Sequence, residues 1–396
     1  MSDLFEPPRY YKDVTFHKHT DRAVGWLELF YDLVYVATLI QIGNFLSSNL
    51  DWTGFGRFLV LMFVTWWAWS GETAYQNRFF VDDVTHRLLV LVQMFGVAAM
   101  GLSVDEAFAG LSTQFALSFV LVRSILVVMW IRAYRSHPES RSLGAGYMTG
   151  IGAGLAIWLG SIALPEDMRW IAWLVAIAFE ILFFARPALM RETISWEPDD
   201  HHLVERFGIF TIIVLGEAFV KILDDAQGTA LGADQVVFGA VLVAGLFALW
   251  WLHFSDSAGE LYDLSSSVKP FTWLYGHLFL AVALVMFGVA AKKLFAETIK
   301  YADEAVTEEY RLLLTVALVV FLVGQALITF GVDDALTTLS QKRRVVGYLL
   351  AAVVIAVLGA TLASLTATTV TAVLTGVLYV LVLDAIRQTK QAPPPH

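Results

Sequence analysis

The 396-residue chain contains no cysteine. Disulfides, iron–sulfur clusters, thiolate zinc sites and cysteine nucleophiles are therefore excluded. Charge is also scarce, at 16% of residues, where a soluble domain carries about 25%. Basic residues are the scarcer sign, 26 against 36 acidic ones, which leaves a formal net charge of −10. The basic face that a nucleic-acid partner requires is missing. What fills the chain instead is apolar: 58% of residues are hydrophobic and 13 are tryptophan. That composition excludes a disordered chain, a coiled coil, a collagen-like rod and an ordinary soluble domain.

A hydrocarbon core about 30 Å thick needs about 20 apolar residues per helix. Twelve such runs occur, at roughly 24–47, 55–75, 86–104, 111–133, 143–163, 170–190, 203–223, 233–254, 271–291, 311–330, 345–363 and 367–387. They are continuous and not alternating, which favours helices over a barrel. Val345 to Leu383 holds no charged residue and is too long for one span, so a turn is placed near Ser364–Thr369. The expected fold is an all-α integral membrane protein of about twelve transmembrane helices.

Met1–Asp21 is polar and lacks the pattern of a secretory signal. Residues 1–23 are expected as a cytoplasmic segment and 388–396, with three prolines, as a disordered tail. With the N-terminus inside, 17 Lys and Arg fall in cytoplasmic segments and 7 on the far side, Arg123 and Arg206 lying within spans. The bias places both termini in the cytoplasm. The 292–310 stretch, with lysines on the far side, reads as a surface helix.

The two halves resemble each other. Trp66-Trp67-Ala68-Trp69-Ser70-Gly71-Glu72 is echoed by Trp250-Trp251-Leu252-His253-Phe254-Ser255-Asp256, and Met94–Ala99 recurs letter for letter at Met286–Ala291. Each half opens with an arginine, Arg22 or Arg206, followed by a deep acid, Asp32 or Glu217. The division is 24–190, a linker at 191–202, and 203–387. Six spans per half gives two parallel six-helix repeats, whose interface is where transporters place their substrate.

An ionisable group at membrane depth costs about 2.5–3.5 kcal/mol on insertion scales, so each needs a partner, a watery cavity or a task. At a rise of about 1.5 Å per residue, Glu28 lies about 6 Å and Asp32 about 12 Å inside the first span. Four residues apart, they share one helix face and repel. Such a pair suits a proton relay or cation site, unless an arginine neutralises it and merely pins two helices together. Arg123 and Glu180 lie near midplane, and Arg123 must find a carboxylate among Glu180, Asp32 and Glu217. That pair reads first as a structural bridge. Glu217 and Lys221 form an i,i+4 pair, with Lys221 snorkelling outward, and Glu205 suits the N-terminus of its helix. His86, His253 and His277 lie at or inside span ends with no metal-ligand spacing. The glycines from Gly144 to Gly154 mark close helix packing. No nucleophile elbow, catalytic triad, metal motif or cofactor motif is present.

Two stretches carry a family resemblance. Arg22-Ala23-Val24-Gly25-Trp26-Leu27-Glu28-Leu29-Phe30-Tyr31-Asp32-Leu33-Val34 and Glu205-Arg206-Phe207-Gly208-Ile209-Phe210-Thr211-Ile212-Ile213-Val214-Leu215-Gly216-Glu217 resemble the two signatures of the bacterial low-temperature requirement A (LtrA) family. The similarity runs from about Arg22 to about Arg387. It implies a multi-spanning bacterial inner-membrane protein, linked by name to growth in the cold. It brings positions, namely Arg22, Glu28, Asp32, Glu205, Arg206 and Glu217, and no agreed reaction, substrate or cofactor.

The residues thus favour a transporter or channel for a small cation or solute, coupled to protons, with the lipid bilayer as its surroundings. Asp32 and Glu217 would be the repeat-related sites, Glu28 an access residue, and Arg123 with Glu180 a central ion pair. A lipid-acting membrane enzyme using Glu72, His253 and Asp256 is the alternative, and a membrane protein without chemistry the third reading.

Overall fold

A computed structural model describes residues 6–10, 23–224, 231–254, 268–332 and 341–391. The chain divides into two compact units, residues 1–45 with 51–206 and residues 46–50 with 207–396. It is an all-α membrane protein. Among the described residues, nine helices are long and apolar enough to cross a membrane, or ten if one bent pair forms a single span.

The first unit holds α1 (Trp26–Ser48), α2 (Trp52–Gln76), α3 (Val84–Leu102), α4 (Ser112–Ser136), α5 (Arg141–Ser161), α6 (Arg169–Phe184), α7 (Pro187–Ser195) and the head of α8 (Asp200–Asp224). Asp51 and Asp83 N-cap α2 and α3 by accepting from Gly54 N and His86 N, each at 2.7 Å. The expected sixth span is not one straight helix. It breaks at Ala185–Arg186, where Pro187 starts α7, and bends by 69°. Consecutive helices α3 to α6 pack in chain order, while α2 lies against α4 and α6. Trp158 stacks on Trp173 at 5.1 Å and on Phe119 at 4.0 Å in the core. A short ribbon, β1 (Arg9–Tyr10) with β2 (Phe79–Phe80), closes the end where α2 meets α3.

The second unit holds the rest of α8, then α9 (Ala233–Phe254), α10 (Lys269–Tyr301), α11 (Glu308–Gly331), α12 (Gln341–Thr361) and α13 (Ala367–Gln391). Here α10 to α13 pack in chain order and α9 lies against α13 and α10, touching α11 less. The 33-residue α10 absorbs the start of the expected surface helix. No Gly or Pro separates Ala291 from Tyr301, so nothing ends the helix there. Likewise α13 runs on to Gln391, into the segment expected as tail. The turn between α12 and α13 spans 362–366.

Large apolar side chains face outward. On α12 Val346, Leu349, Leu350, Val353 and Val357 are exposed at helical spacing, and on α3 Leu88, Leu91, Val92 and Phe95. Such stripes belong against lipid. Trp26 and Trp52 are almost fully exposed at helix starts, as interfacial tryptophans are. The repeated hexapeptide packs differently in its two copies: a Cβ on Gly96 would meet Val122 of α4, one on Gly288 would meet Ala218 of α8.

Gly276 and Gly324 bring α10 and α11 into backbone contact. A Cβ on Gly276 would lie 2.9 Å from Gly324 O, and one on Gly324 2.9 Å from Gly276 O. Gly276→Ala is expected to destabilise by about 1–3 kcal/mol through overpacking. Gly152 has nothing within 4 Å of a built Cβ, so Gly152→Ala should be neutral or stabilising by up to about 1 kcal/mol. Thermal unfolding of the two purified variants in detergent compares them.

Candidate functional site

The first unit gathers ionisable groups around one guanidinium. Arg206, fully buried, donates from Nη2 to Glu72 Oε2 at 3.0 Å and to Asp32 Oδ1 at 3.3 Å. Its Nη1 donates to Gln76 Oε1 at 3.2 Å and lies 3.8 Å from Glu28 Oε1. The Tyr31 ring lies beneath it, 5.8 Å from Cζ. Asp32 Oδ1 also accepts from Trp69 Nε1 at 2.7 Å. Gln76 Nε2 donates to Glu72 Oε1.

Local sequence explains the convergence. Glu28 with Asp32 on α1, Glu72 with Gln76 on α2, and His202 with Arg206 on α8 are each four residues apart, so each helix turns two polar groups to one side. The head of α8 is fastened to the end of α2. Asp199 N donates to Asn77 O at 3.0 Å, and Asp199 Oδ1 accepts from His202 N at 3.2 Å as an N-cap does.

The imidazole of His202 is fixed on both sides. Asn77 Nδ2 donates to Thr73 O at 2.8 Å, so Asn77 Oδ1 is the atom facing His202 Nδ1 at 2.7 Å. His202 Nδ1 must therefore carry a hydrogen. The other nitrogen, Nε2, lies 3.0 Å from Glu28 Oε2, and one proton holds that contact whichever atom owns it. Glu28 Oε2 also accepts from Gly25 N at 2.8 Å.

A second buried pair in the same unit is simpler. Arg123 of α4 donates to Glu180 of α6, and Trp67 Nε1 donates to the same carboxylate at 2.8 Å. Glycines make the room: a Cβ on Gly71 would collide with Arg123 Nη1, and one on Gly154 with Glu180 Oε1. Arg123 thus selects Glu180 from the three carboxylates open to it by sequence.

In the second unit, Glu217 lies 3.8 Å from Lys221 on the same helix. His253 Nδ1 faces Gln325 Oε1 at 3.0 Å, and its ring stands 5.7 Å from that of His277. Among the described residues no three His, Asp or Glu side chains gather as a metal site. Asp256, the third residue of the enzyme reading, and Arg22 lie outside the described residues. Glu205 does not join the cluster; its Oε2 accepts from Val24 N at 3.3 Å.

The paired signatures meet here, α1 supplying Glu28 and Asp32 and α8 supplying Arg206. A family profile described as bacterial low temperature requirement A protein (LtrA) matches residues 23–383. The chain belongs to the LtrA family. An uncharacterized protein of Rhizobium meliloti (strain 1021) is 29% identical to this LtrA chain over 287 residues, covering 66% of it and 67% of that relative. No solved structure matches.

Sequence reasoning had placed Glu28, Asp32, Arg123, Glu180 and Arg206 as candidates in this LtrA protein. It had not found His202, Gln76, Asn77 or Trp69, and had set Glu72 apart as an enzymatic candidate. The signal was available in the four-residue spacings of Glu72 with Gln76 and His202 with Arg206.

Breaking a buried charge pair costs about 3–5 kcal/mol, whereas replacing both partners by apolar groups is near neutral. Glu180→Gln should therefore lower stability by about that amount, and Arg123→Met with Glu180→Leu by much less. Arg206→Gln should be at least as damaging as Glu180→Gln. Arg206→Lys should not restore it, since an ammonium lacks the planar fork that reaches several acceptors. Melting temperatures of the purified variants decide each comparison.

Proposed function

We propose that this LtrA-family protein is a transporter or channel for a small cation or solute, coupled to protons, in the bacterial inner membrane with both termini cytoplasmic. The carrying observation is an excess of buried carboxylates over buried cations in one cluster. Three carboxylates, Glu28, Asp32 and Glu72, surround Arg206, all buried. The His202–Glu28 contact holds one proton and is neutral as a unit. That leaves Asp32 and Glu72 against a single guanidinium. A buried, low-dielectric site does not tolerate an unbalanced charge. The remaining positive charge must come from something that binds, which is what a coupling site does. Arg123 with Glu180 is balanced one to one and needs nothing further, so it serves as a bridge.

The same reading takes α2 and α8 as spans too. Each is 25 residues long, enough to cross, and their lower apolar content is the polar load of the site. Twelve long helices then form two parallel six-helix repeats. The chain-order packing of α3 to α6 and of α10 to α13 supports this, although α9 lies on α10 as well as α13 where α2 lies on α4 and α6. Glu217 is the repeat counterpart of Asp32, but with Lys221 near it the coupling role falls mainly on Asp32. Glu72, being held by Arg206, is unsuited to the lipid-acting alternative.

Purified protein in liposomes with an imposed pH gradient is expected to pass protons or a monovalent cation, read with a pH-sensitive dye. Asp32→Asn is expected to cut the flux at least tenfold, and Asp32→Asn with Glu217→Gln to abolish it. Flux unchanged in the double variant removes this site assignment.

A further inference from the structure

We infer that the cluster takes up one proton, at Asp32 Oδ2, and that this proton controls which carboxylate Arg206 holds. The inference rests on the transport reading for its role and adds the atom that takes the proton and what that proton changes.

The assignment follows from where donors already point. Both oxygens of Glu72 are occupied, Oε2 by Arg206 and Oε1 by Gln76. Gln76 cannot be turned over, because its Oε1 accepts from Arg206 Nη1. Glu28 Oε2 is met by Gly25 N and His202 Nε2, and its Oε1 faces Arg206. Asp32 Oδ1 is met by Trp69 and Arg206. Asp32 Oδ2 is buried with no hydrogen-bond partner among the described residues. It is the open acceptor of the three carboxylates. The charged and titratable groups around it are Glu28, Tyr31 and Tyr35 on α1, Glu72 on α2, Arg206 and His202 on α8, and Arg123 of α4 near Tyr35.

A metal cation suits this atom poorly. Group I and II cations need several oxygens at once, and the guanidinium 3.3 Å from Oδ1 repels a second cation. A proton needs one lone pair. A hydronium ion from the aqueous phase supplies it: one of its O–H bonds breaks and leaves water, Oδ2 forms the new O–H bond, and the carboxylate charge disappears. Asp32 then holds Arg206 only as a neutral acceptor, a weaker contact than a charge-assisted one. Glu28, 3.8 Å from Nη1, becomes the stronger competitor. Closing on Glu28 would loosen its contact with His202 and so the seat of α8 on α2. Binding one proton thereby biases two arrangements of the same side chains, which is what coupling requires.

The test uses pH-difference infrared spectroscopy of the full-length protein in liposomes with no gradient. A protonated-carboxyl C=O band is expected that shifts when the protein is made with ¹³C-aspartate, stays put with ¹³C-glutamate, and is absent from Asp32→Asn. Asp32→Glu should transfer the band to the glutamate-labelled set. The band should be the same in sodium, potassium and choline salts. A band that moves with ¹³C-glutamate in the wild type, one that sodium or potassium suppresses, or no band lost in Asp32→Asn overturns the inference. The spectra need no flux, so failure of transport leaves them standing, and flux without the band overturns the proton assignment alone.

Discussion

One guanidinium shared among three carboxylates is the constraint on which the first unit depends. Arg206 cannot give up its proton, so its charge is permanent wherever the fold puts it. Burying it completely obliges α1 and α2 to bring acids to it, and obliges the head of α8 to be held in place. The Asn77 and Asp199 contacts do that holding. Removing the arginine would leave like charges facing one another in low dielectric, where their repulsion is least screened.

The Arg123–Glu180 pair shows what a bridge without further task looks like. Charges match, a tryptophan N–H donates to the same Glu180 oxygen that Arg123 holds, and two glycines let the helices close around it. The Arg206 cluster departs from this in its excess of acid, in its histidine and in its unoccupied Asp32 oxygen. In the second unit, Lys221 lies beside Glu217, and His253 is bound through an amide. The charged groups of the two units are therefore held in different ways. The identical hexapeptides make the same point, since Gly96 faces α4 and Gly288 faces α8: a short apolar motif states that close approach is possible and leaves open which neighbour makes it.

Helix positions were the most legible part. Apolar runs locate most of the helices because composition and period are local, whereas the run at 170–190 was read through Pro187, where proline starts a new helix. The apolar run stops at Ala291 but α10 continues to Tyr301, because Lys292 and Lys293 end the hydrophobic stretch without ending a helix that has no Gly or Pro there. Glu28 and Asp32 were found through their spacing and depth. His202 was missed because it sits among Asp199, Asp200 and His201, where polarity reads as a loop. Its contacts with Asn77, 125 residues earlier, and Glu28, 174 residues earlier, lift it out of that background.

By itself the sequence determined that the chain is helical, that it belongs in a membrane, which family it joins, and which charged residues fall inside its apolar runs. Those properties depend on composition and on the 3.6-residue period, which act within a single helix. Tertiary structure decided who neutralises whom: Arg123 takes Glu180, and Arg206 takes Glu72 and Asp32 with Glu28 in reach. Coulomb and hydrogen-bond energies depend on distances between helices, and no spacing along one chain fixes those.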